Sequence, residues 1–258
     1  MDHQHEQATR PTQATPTTKQ PSFPVLRPLG DSALVIQFGD AIDTAVQEKV
    51  RAFTNFFLSH PLTGVVECVP AYTTVTLYYE ARSLTYPTIL ATMRELLASW
   101  QRHDSLHQHD GELAAKIVEI PVCYGNRFGP DLSWVASHCG MHADDVVAAH
   151  SGASYVVYML GFSPGFPFLG GLPSVISVPR RDTPRLSIPA GSVGIAGNQT
   201  GVYPIASPGG WQLIGRTPLS LFLPAQFPPT LLEAGDSVRF VPITEREFER
   251  MAATGARR

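Results

Sequence analysis

The side chains best suited to binding chemistry are concentrated between residues 180 and 218, in RRDTPRLSIPAGSVGIAGNQTGVYPIASPGGWQLIGRTP. Arginines, which bind planar anions through paired N–H donors, occur there with amides, hydroxyls and aromatic rings. Carboxylates are scarce, which argues against acid–base catalysis by two carboxyl groups. The stretch therefore predicts a site for a small amide, carboxylate or phosphate. Its candidate residues are Arg185, Ser192, Gln199, Tyr203, Trp211 and Arg216.

A second motif, YMLGFSPGFPFLGGLP at 158–173, crowds glycine and proline around three phenylalanines. Glycine permits positive φ, and proline fixes φ and removes a backbone donor, so neither an ordinary helix nor a central strand is expected. We predict a stiff loop over 161–171, with Ser163 and Phe166 as substrate-binding candidates. The phenylalanine rings either face a cleft or subunit interface as apolar anchors, or plug the end of a barrel.

His150 ends a predicted helix just before the strand that enters this motif. Two interpretations stay open: a cation that interacts with the helix dipole, or a polar group at the mouth of a pocket. Gly140 lies between His138 and His142, so these histidines need not share a helix face, and no metal site is predicted from this chain. The sequence contains no GxxxxGK[ST], which excludes a Walker loop.

The elements that must position these residues fall into two groups. Helical periodicity at 41–60 and 86–100, with strand patterns at 30–39 and 64–80, predicts a small two-layer α/β sandwich. From 155 to 242 short β-like runs are broken by glycine and proline, which is typical of a closed or nearly closed β-barrel. The predicted fold class is α+β. The predicted segments are a disordered tail at 1–22, the sandwich domain at 23–110, the barrel domain at 111–245 and a C-terminal tail at 246–258.

Composition and charge restrict the classes of partner that this protein is expected to bind. The 258 residues carry a net charge of −3, which leaves no electrostatic footprint for nucleic acid. No apolar run reaches the length of a membrane span, and the three scattered cysteines fit a reducing compartment. We therefore expect a cytoplasmic protein that acts on a small molecule, with no nucleic-acid or membrane partner.

Both motifs closely resemble one family over residues 23–242. This family includes the B subunit of bacterial 5-oxoprolinase, allophanate hydrolase subunit 1, the corresponding part of urea carboxylase and a histidine-kinase inhibitor. The resemblance implies a small α+β domain followed by a cyclophilin-like barrel. It also implies a component that, with the A and C subunits, couples ATP hydrolysis to cleavage of 5-oxo-L-proline to L-glutamate, and that is inactive alone. ATP would be a cosubstrate of the complex. The alternatives are a carboxyltransferase-type subunit acting on urea or allophanate, and a kinase inhibitor with a pure binding role.

On the 5-oxoprolinase interpretation, the stable lactam must be activated at its carbonyl oxygen, for instance by phosphorylation, while the protein supplies positioning and charge. Arg185 and Arg216 are then expected to hold a carboxylate or phosphoryl oxygen. Gln199 and Tyr203 are expected to bond the amide, and His150 to move a proton or orient the substrate. The predicted catalytic set is therefore His150, Arg185, Gln199 and Tyr203.

Overall fold

The structure, a computed structural model, describes residues 22–106 and 116–254. The predicted disordered tail lies outside these ranges except for its last residue, and so does the linker segment 107–115. No helix within the described ranges is both long and apolar enough to cross a membrane.

The N-terminal unit is a four-stranded antiparallel sheet with two helices packed on one face. The sheet order is β1-β2-β4-β3. Alternating residues of β2 and β4 point to the helices, because successive strand side chains face opposite sides of a sheet. The elements in chain order are β1 (Val25–Leu29), β2 (Ala33–Gln37), α1 (Thr44–Ser59), β3 (Val65–Pro70), β4 (Thr74–Tyr79) and α2 (Tyr86–Leu106).

Aromatic packing fixes the core of this unit. The Trp100 ring from α2 meets the Phe53 ring of α1 edge-on at 5.5 Å and the Phe38 ring at 5.7 Å. Asp43 caps α1 by accepting a hydrogen bond of 2.8 Å from the Val46 backbone N–H, which satisfies one of the free amides at the helix start.

The C-terminal unit is a closed seven-stranded barrel with the order β10-β7-β6-β13-β5-β12-β9. All its described strand pairs are antiparallel except β13 with β5, which are parallel. Helix α3 contacts β12, helix α4 contacts β13, and β8 and β11 form a separate two-stranded ribbon. The elements are β5 (Ile117–Tyr124), α3 (Leu132–Cys139), α4 (Ala143–Ser151), β6 (Tyr155–Leu160), β7 (Pro167–Gly170), β8 (Arg185–Ile188), β9 (Ser192–Ala196), β10 (Gln199–Val202), β11 (Ser207–Gly209), β12 (Gln212–Arg216), β13 (Ser237–Pro242) and α5 (Glu245–Ala253).

The predicted fold class, an α/β sandwich followed by a β-barrel, is confirmed. Two local predictions were wrong. The stiff loop expected at 161–171 is interrupted by the four-residue strand β7, which tolerates Pro167 because the proline stands at the first strand position. Helix α2 continues to Leu106, beyond the predicted helix at 86–100. The C-terminal segment contains helix α5, and its Phe248 packs on Phe128 of the barrel unit at 4.5 Å between ring centroids.

Candidate functional site

The most distinctive cavity of the barrel unit is walled by aromatic rings and two arginines. We call it the aromatic cavity. Its volume is about 200 Å³. Phe166 meets the rings of Tyr203 and Trp211 edge-on, at centroid distances of 5.2 and 5.5 Å. The lining residues are Phe162, Phe166, Phe168, Arg180, Arg181, Pro184, Tyr203, Gly209, Gly210 and Trp211.

Backbone conformation shapes this cavity. Gly201 lets the Phe166 ring approach, since a Cβ atom there would lie 3.0 Å from the ring and 2.8 Å from the Pro167 carbonyl oxygen. Phe162 has a φ of 68°, a left-handed conformation that bulky residues rarely adopt. Its side chain is 67% exposed, whereas that of Phe166 is 2% exposed. The loop therefore offers one exposed ring at the cavity rim, and Phe166 forms its wall.

Asp131 connects two arginines beside the cavity. Its Oδ1 accepts hydrogen bonds of 2.7 Å from Arg185 Nη2 and 3.2 Å from Arg181 Nη1. Its Oδ2 accepts a bond of 2.7 Å from the Leu213 backbone N–H. Because the carboxylate is buried, these charge-assisted bonds fix it and the arginine heads that it contacts. Two buried guanidinium nitrogens, Arg181 Nε and Arg185 Nη1, have no hydrogen-bond partner.

Arg180 lines the same cavity together with Arg181. Within the described part of the chain, no hydrogen bond or ion pair engages this exposed side chain. Burial raises the pKa of the Tyr203 phenol, and the Trp211 backbone amide and the charges of Arg180 and Arg185 offset part of that rise. Tyr203 is therefore protonated at neutral pH and able to donate a hydrogen bond.

The N-terminal unit reaches this site through Tyr72, in the turn between β3 and β4. Its ring meets Phe168 edge-on at 5.6 Å, and its oxygen accepts a hydrogen bond of 2.5 Å from Gln199 Nε2. Burial raises the pKa of Tyr72 to about 12, although the Gln199 hydrogen bond and the Arg180 charge act to lower it. The predicted site residue Gln199 thus joins the two units instead of lining the cavity.

His150 was expected either as a helix-end cation or at the mouth of a pocket; it does lie in the last turn of α4, but it does not line the aromatic cavity. Its side chain is fully buried and stacks on Phe240 at 4.5 Å between centroids. Thr200 Oγ1 donates its hydrogen to the Gly194 carbonyl, so it accepts a hydrogen bond of 2.9 Å from His150 Nε2. Because Nε2 carries the proton of the neutral ring, His150 Nδ1 accepts a hydrogen bond of 2.8 Å from Tyr124 Oη. Burial lowers the pKa of His150 to about 3, so the ring is neutral. A catalytic role remains a prediction, which this position does not favour.

Of the other predicted residues, Tyr203, Trp211 and Phe166 line the aromatic cavity together. Ser163 lines an adjoining open cavity of about 480 Å³, and its buried hydroxyl has no partner.

Arg216 and Ser192 pair across β12 and β9 and do not line the aromatic cavity. The Arg216 Nε–H donates a bond of 2.8 Å to the Ala190 carbonyl oxygen, and burial lowers the pKa of the guanidinium. The expected anion grip by Arg216 is therefore not supported, because this contact holds the turn before β9.

Sequence reasoning missed Asp131, Arg180, Arg181 and Tyr72 as site residues. Only the arginines left a usable signal, since RRDTPR places three cations within six positions. Within 22–106 and 116–254, no group of three or more His, Cys, Asp or Glu residues could hold a metal ion.

A sandwich followed by a closed barrel agrees with the comparisons to known proteins. The model of the family described as carboxyltransferase domain, subdomain C and D, matches residues 24–232, and the chain belongs to this family. The chain is 48% identical over 230 residues to the B subunit of 5-oxoprolinase from Bacillus subtilis, covering 85% of this chain and 93% of that one. It is 46% identical over 219 residues to the protein of the same name from Escherichia coli O157:H7, covering 84% and 95%.

A solved structure shares the fold. The Kluyveromyces lactis urea amidolyase superimposes with a TM-score of 0.71 at 22% identity, covering 90% of this chain and 15% of that one. At this identity the likeness concerns the fold alone.

Proposed function

We propose that this chain is the B subunit of a 5-oxoprolinase, which opens the lactam of 5-oxo-L-proline to give L-glutamate with hydrolysis of ATP. The observation that carries the proposal is the 46–48% identity to proteins of that name over 93–95% of their length. Such coverage means that the likeness extends across both the sandwich and the barrel, including the aromatic cavity between 162 and 211.

The chemistry of the aromatic cavity supports this substrate. 5-Oxoproline combines a compact ring, a planar amide and one carboxylate. The cavity combines aromatic walls with two guanidinium groups and the protonated phenol of Tyr203. We assign to Tyr203 a hydrogen bond to the lactam carbonyl, which would strengthen as negative charge develops on that oxygen. Trp211 and Phe166 exclude water around the ring.

In this proposal the other predicted catalytic residues support the site and do not contact the substrate. Arg185 is held by Asp131, and Gln199 is held by Tyr72, so each positions the wall of the site. His150 supports the barrel interior as a neutral hydrogen-bonded ring. These assignments make Tyr203 the residue that contacts the reacting amide.

The full reaction consumes one 5-oxoproline, one ATP and two waters, and yields glutamate, ADP and phosphate. One water opens the lactam, and the other accounts for hydrolysis of ATP. A cavity of about 200 Å³ is smaller than the roughly 300–1,000 Å³ of pockets that enclose larger ligands. We therefore assign the lactam, and not the nucleotide, to this cavity. We propose that the A and C subunits supply the remaining groups, in the cytoplasm.

A genetic experiment tests the proposed function. Deletion of the encoding gene in its host should cause 5-oxoproline to accumulate, and the wild-type gene should restore its consumption. Complementation with Tyr203→Phe, which removes only the phenolic oxygen, should restore it much less well. A deletion strain that consumes 5-oxoproline normally but loses growth on urea would favour the carboxyltransferase alternative. A deletion that changes only signalling by a histidine kinase would favour the inhibitor alternative.

A further inference from the structure

We propose that Arg180 and Arg181 bind the carboxylate of the substrate in the aromatic cavity, and that Asp131 is the positioning residue that aims Arg181. This inference rests on the proposed function and states how that site distinguishes a cyclic acid from a neutral lactam.

Arg181 has a hydrogen-bond donor that is available to a ligand. Asp131 engages its Nη1, whereas its Nε is buried without a partner. A buried donor without an acceptor is costly unless a ligand or water completes it. Because Arg181 lines the cavity, a carboxylate oxygen there can accept from the unpaired Nε–H.

Arg180 supplies charge that the chain does not neutralise. Its guanidinium has no ion pair or hydrogen bond within the described residues, and it lies near enough to Tyr72 and Tyr203 for its charge to offset part of the burial-driven rise in the pKa of each phenol. The residues that line the aromatic cavity include these two arginines and no carboxylate. Asp131 is engaged by Arg181, Arg185 and the Leu213 amide, so it does not compete for Arg180.

The walls define the rest of the ligand. Phe166, Tyr203 and Trp211 present aromatic surface, and the cavity volume of about 200 Å³ admits a small ring. Arginine matches the two oxygens of a carboxylate with two parallel N–H donors, which lysine cannot do. The ligand class is therefore a compact cyclic monocarboxylate, with its charge at the Arg180 rim and its ring against the aromatic wall.

The test compares two ligands of nearly the same shape. Binding of 5-oxoproline and of 2-pyrrolidinone, which lacks the carboxylate, is measured by calorimetry on the full chain assembled with the A and C subunits. We expect the wild type to prefer 5-oxoproline, and Arg180→Gln to reduce that preference at least about tenfold, since a hydrogen bond to a charged group contributes roughly that much. Arg180→Lys should recover part of the preference. Arg82→Gln, an exposed arginine of the sandwich, is the matched control and should leave it unchanged.

Each outcome decides the inference. An unchanged ratio between the two ligands in a folded Arg180→Gln protein would overturn it, and so would a wild type that binds neither ligand or both equally. The proposed function fails separately, if the wild-type assembly prefers the carboxylate but releases no glutamate from 5-oxoproline. A drop in affinity for both ligands together would show that Arg180 only supports the cavity wall, and would also contradict the inference.

Discussion

Replacement of Asp131 by asparagine should destabilise the protein strongly, although the two side chains have nearly the same shape. Asp131 accepts three hydrogen bonds, from Arg185, Arg181 and the Leu213 backbone N–H. Asparagine has one oxygen acceptor and one NH₂ donor, so one orientation turns the NH₂ group towards the Leu213 amide and the other turns it towards the guanidinium groups. At least one buried donor then loses its acceptor.

The magnitude follows from these contacts. An unsatisfied buried donor costs about 1–3 kcal/mol, and breaking a buried ion pair costs about 3–5 kcal/mol. The side chains of Arg181 and Arg185 are 36% and 24% exposed, so water screens part of the pair. We therefore expect a loss of about 2–4 kcal/mol in unfolding free energy, or about 4–16 °C in Tm for a chain of this size.

Thermal and urea unfolding of the purified chain measure this loss. Asp182→Asn is the matched control, because this exposed neighbouring carboxylate makes no ion pair or hydrogen bond with the described residues, and its removal should change stability by less than about 0.5 kcal/mol. A double-mutant cycle of Asp131→Asn with Arg185→Met should give a coupling energy of about 1 kcal/mol or more. An Asp131→Asn protein as stable as the wild type, or additive effects in the cycle, would refute the assignment of Asp131 as the anchor.

Three further predictions concern the cavity wall, the barrel interior and the contact between the two units. Phe166→Ala should lower the unfolding free energy by about 3–5 kcal/mol in a thermal melt, whereas the exposed Phe162→Ala should change it by less than about 1 kcal/mol; equal losses would contradict the assignment of wall and rim. The pKa of His150 is about 3 in the folded chain and 6.5 in the unfolded one, so the unfolded chain binds the extra proton as the pH falls. The unfolding free energy should then fall by up to about 1.4 kcal/mol per pH unit as the pH drops from 6.5 towards 3, and His150 should not affect it above pH 6.5. Urea titrations of His150→Gln should lack this component of the pH dependence. Tyr72→Phe removes the acceptor of the Gln199 amide and should cost about 1 kcal/mol in urea unfolding; no change would argue against a stabilising bond between the units.

The architecture was predictable because hydrophobic periodicity is a local signal. Helix α1 and the strands before and after it follow from apolar positions at regular spacing, and the barrel follows from short runs between glycines and prolines. Strand β7 was missed because Pro167 and the glycines around it weaken any local strand pattern. Its pairing with β6 and β10 is a tertiary effect that overrides this local composition.

The candidate site was predictable only in part, because hydrogen bonds between side chains that are far apart in the sequence leave no local pattern. Tyr203, Trp211 and Phe166 could be found from their position in glycine-rich motifs. Asp131 stands where a helix-capping residue is expected, and its arginine partners lie 50 and 54 residues away in the chain. His150 looked like a site residue because the sequence does not reveal that Tyr124 and Thr200 complete its hydrogen bonds inside the barrel.

The central claim is tested most directly by ATP-dependent release of glutamate from 5-oxoproline, measured with the purified chain alone and after reconstitution with homologues of the A and C subunits. We predict no release by the chain alone, release by the assembly, and strongly reduced release when the chain carries Tyr203→Phe. A verified, folded assembly that hydrolyses no 5-oxoproline would contradict the proposed function. An assembly that is equally active with Tyr203→Phe would remove Tyr203 from the reacting amide.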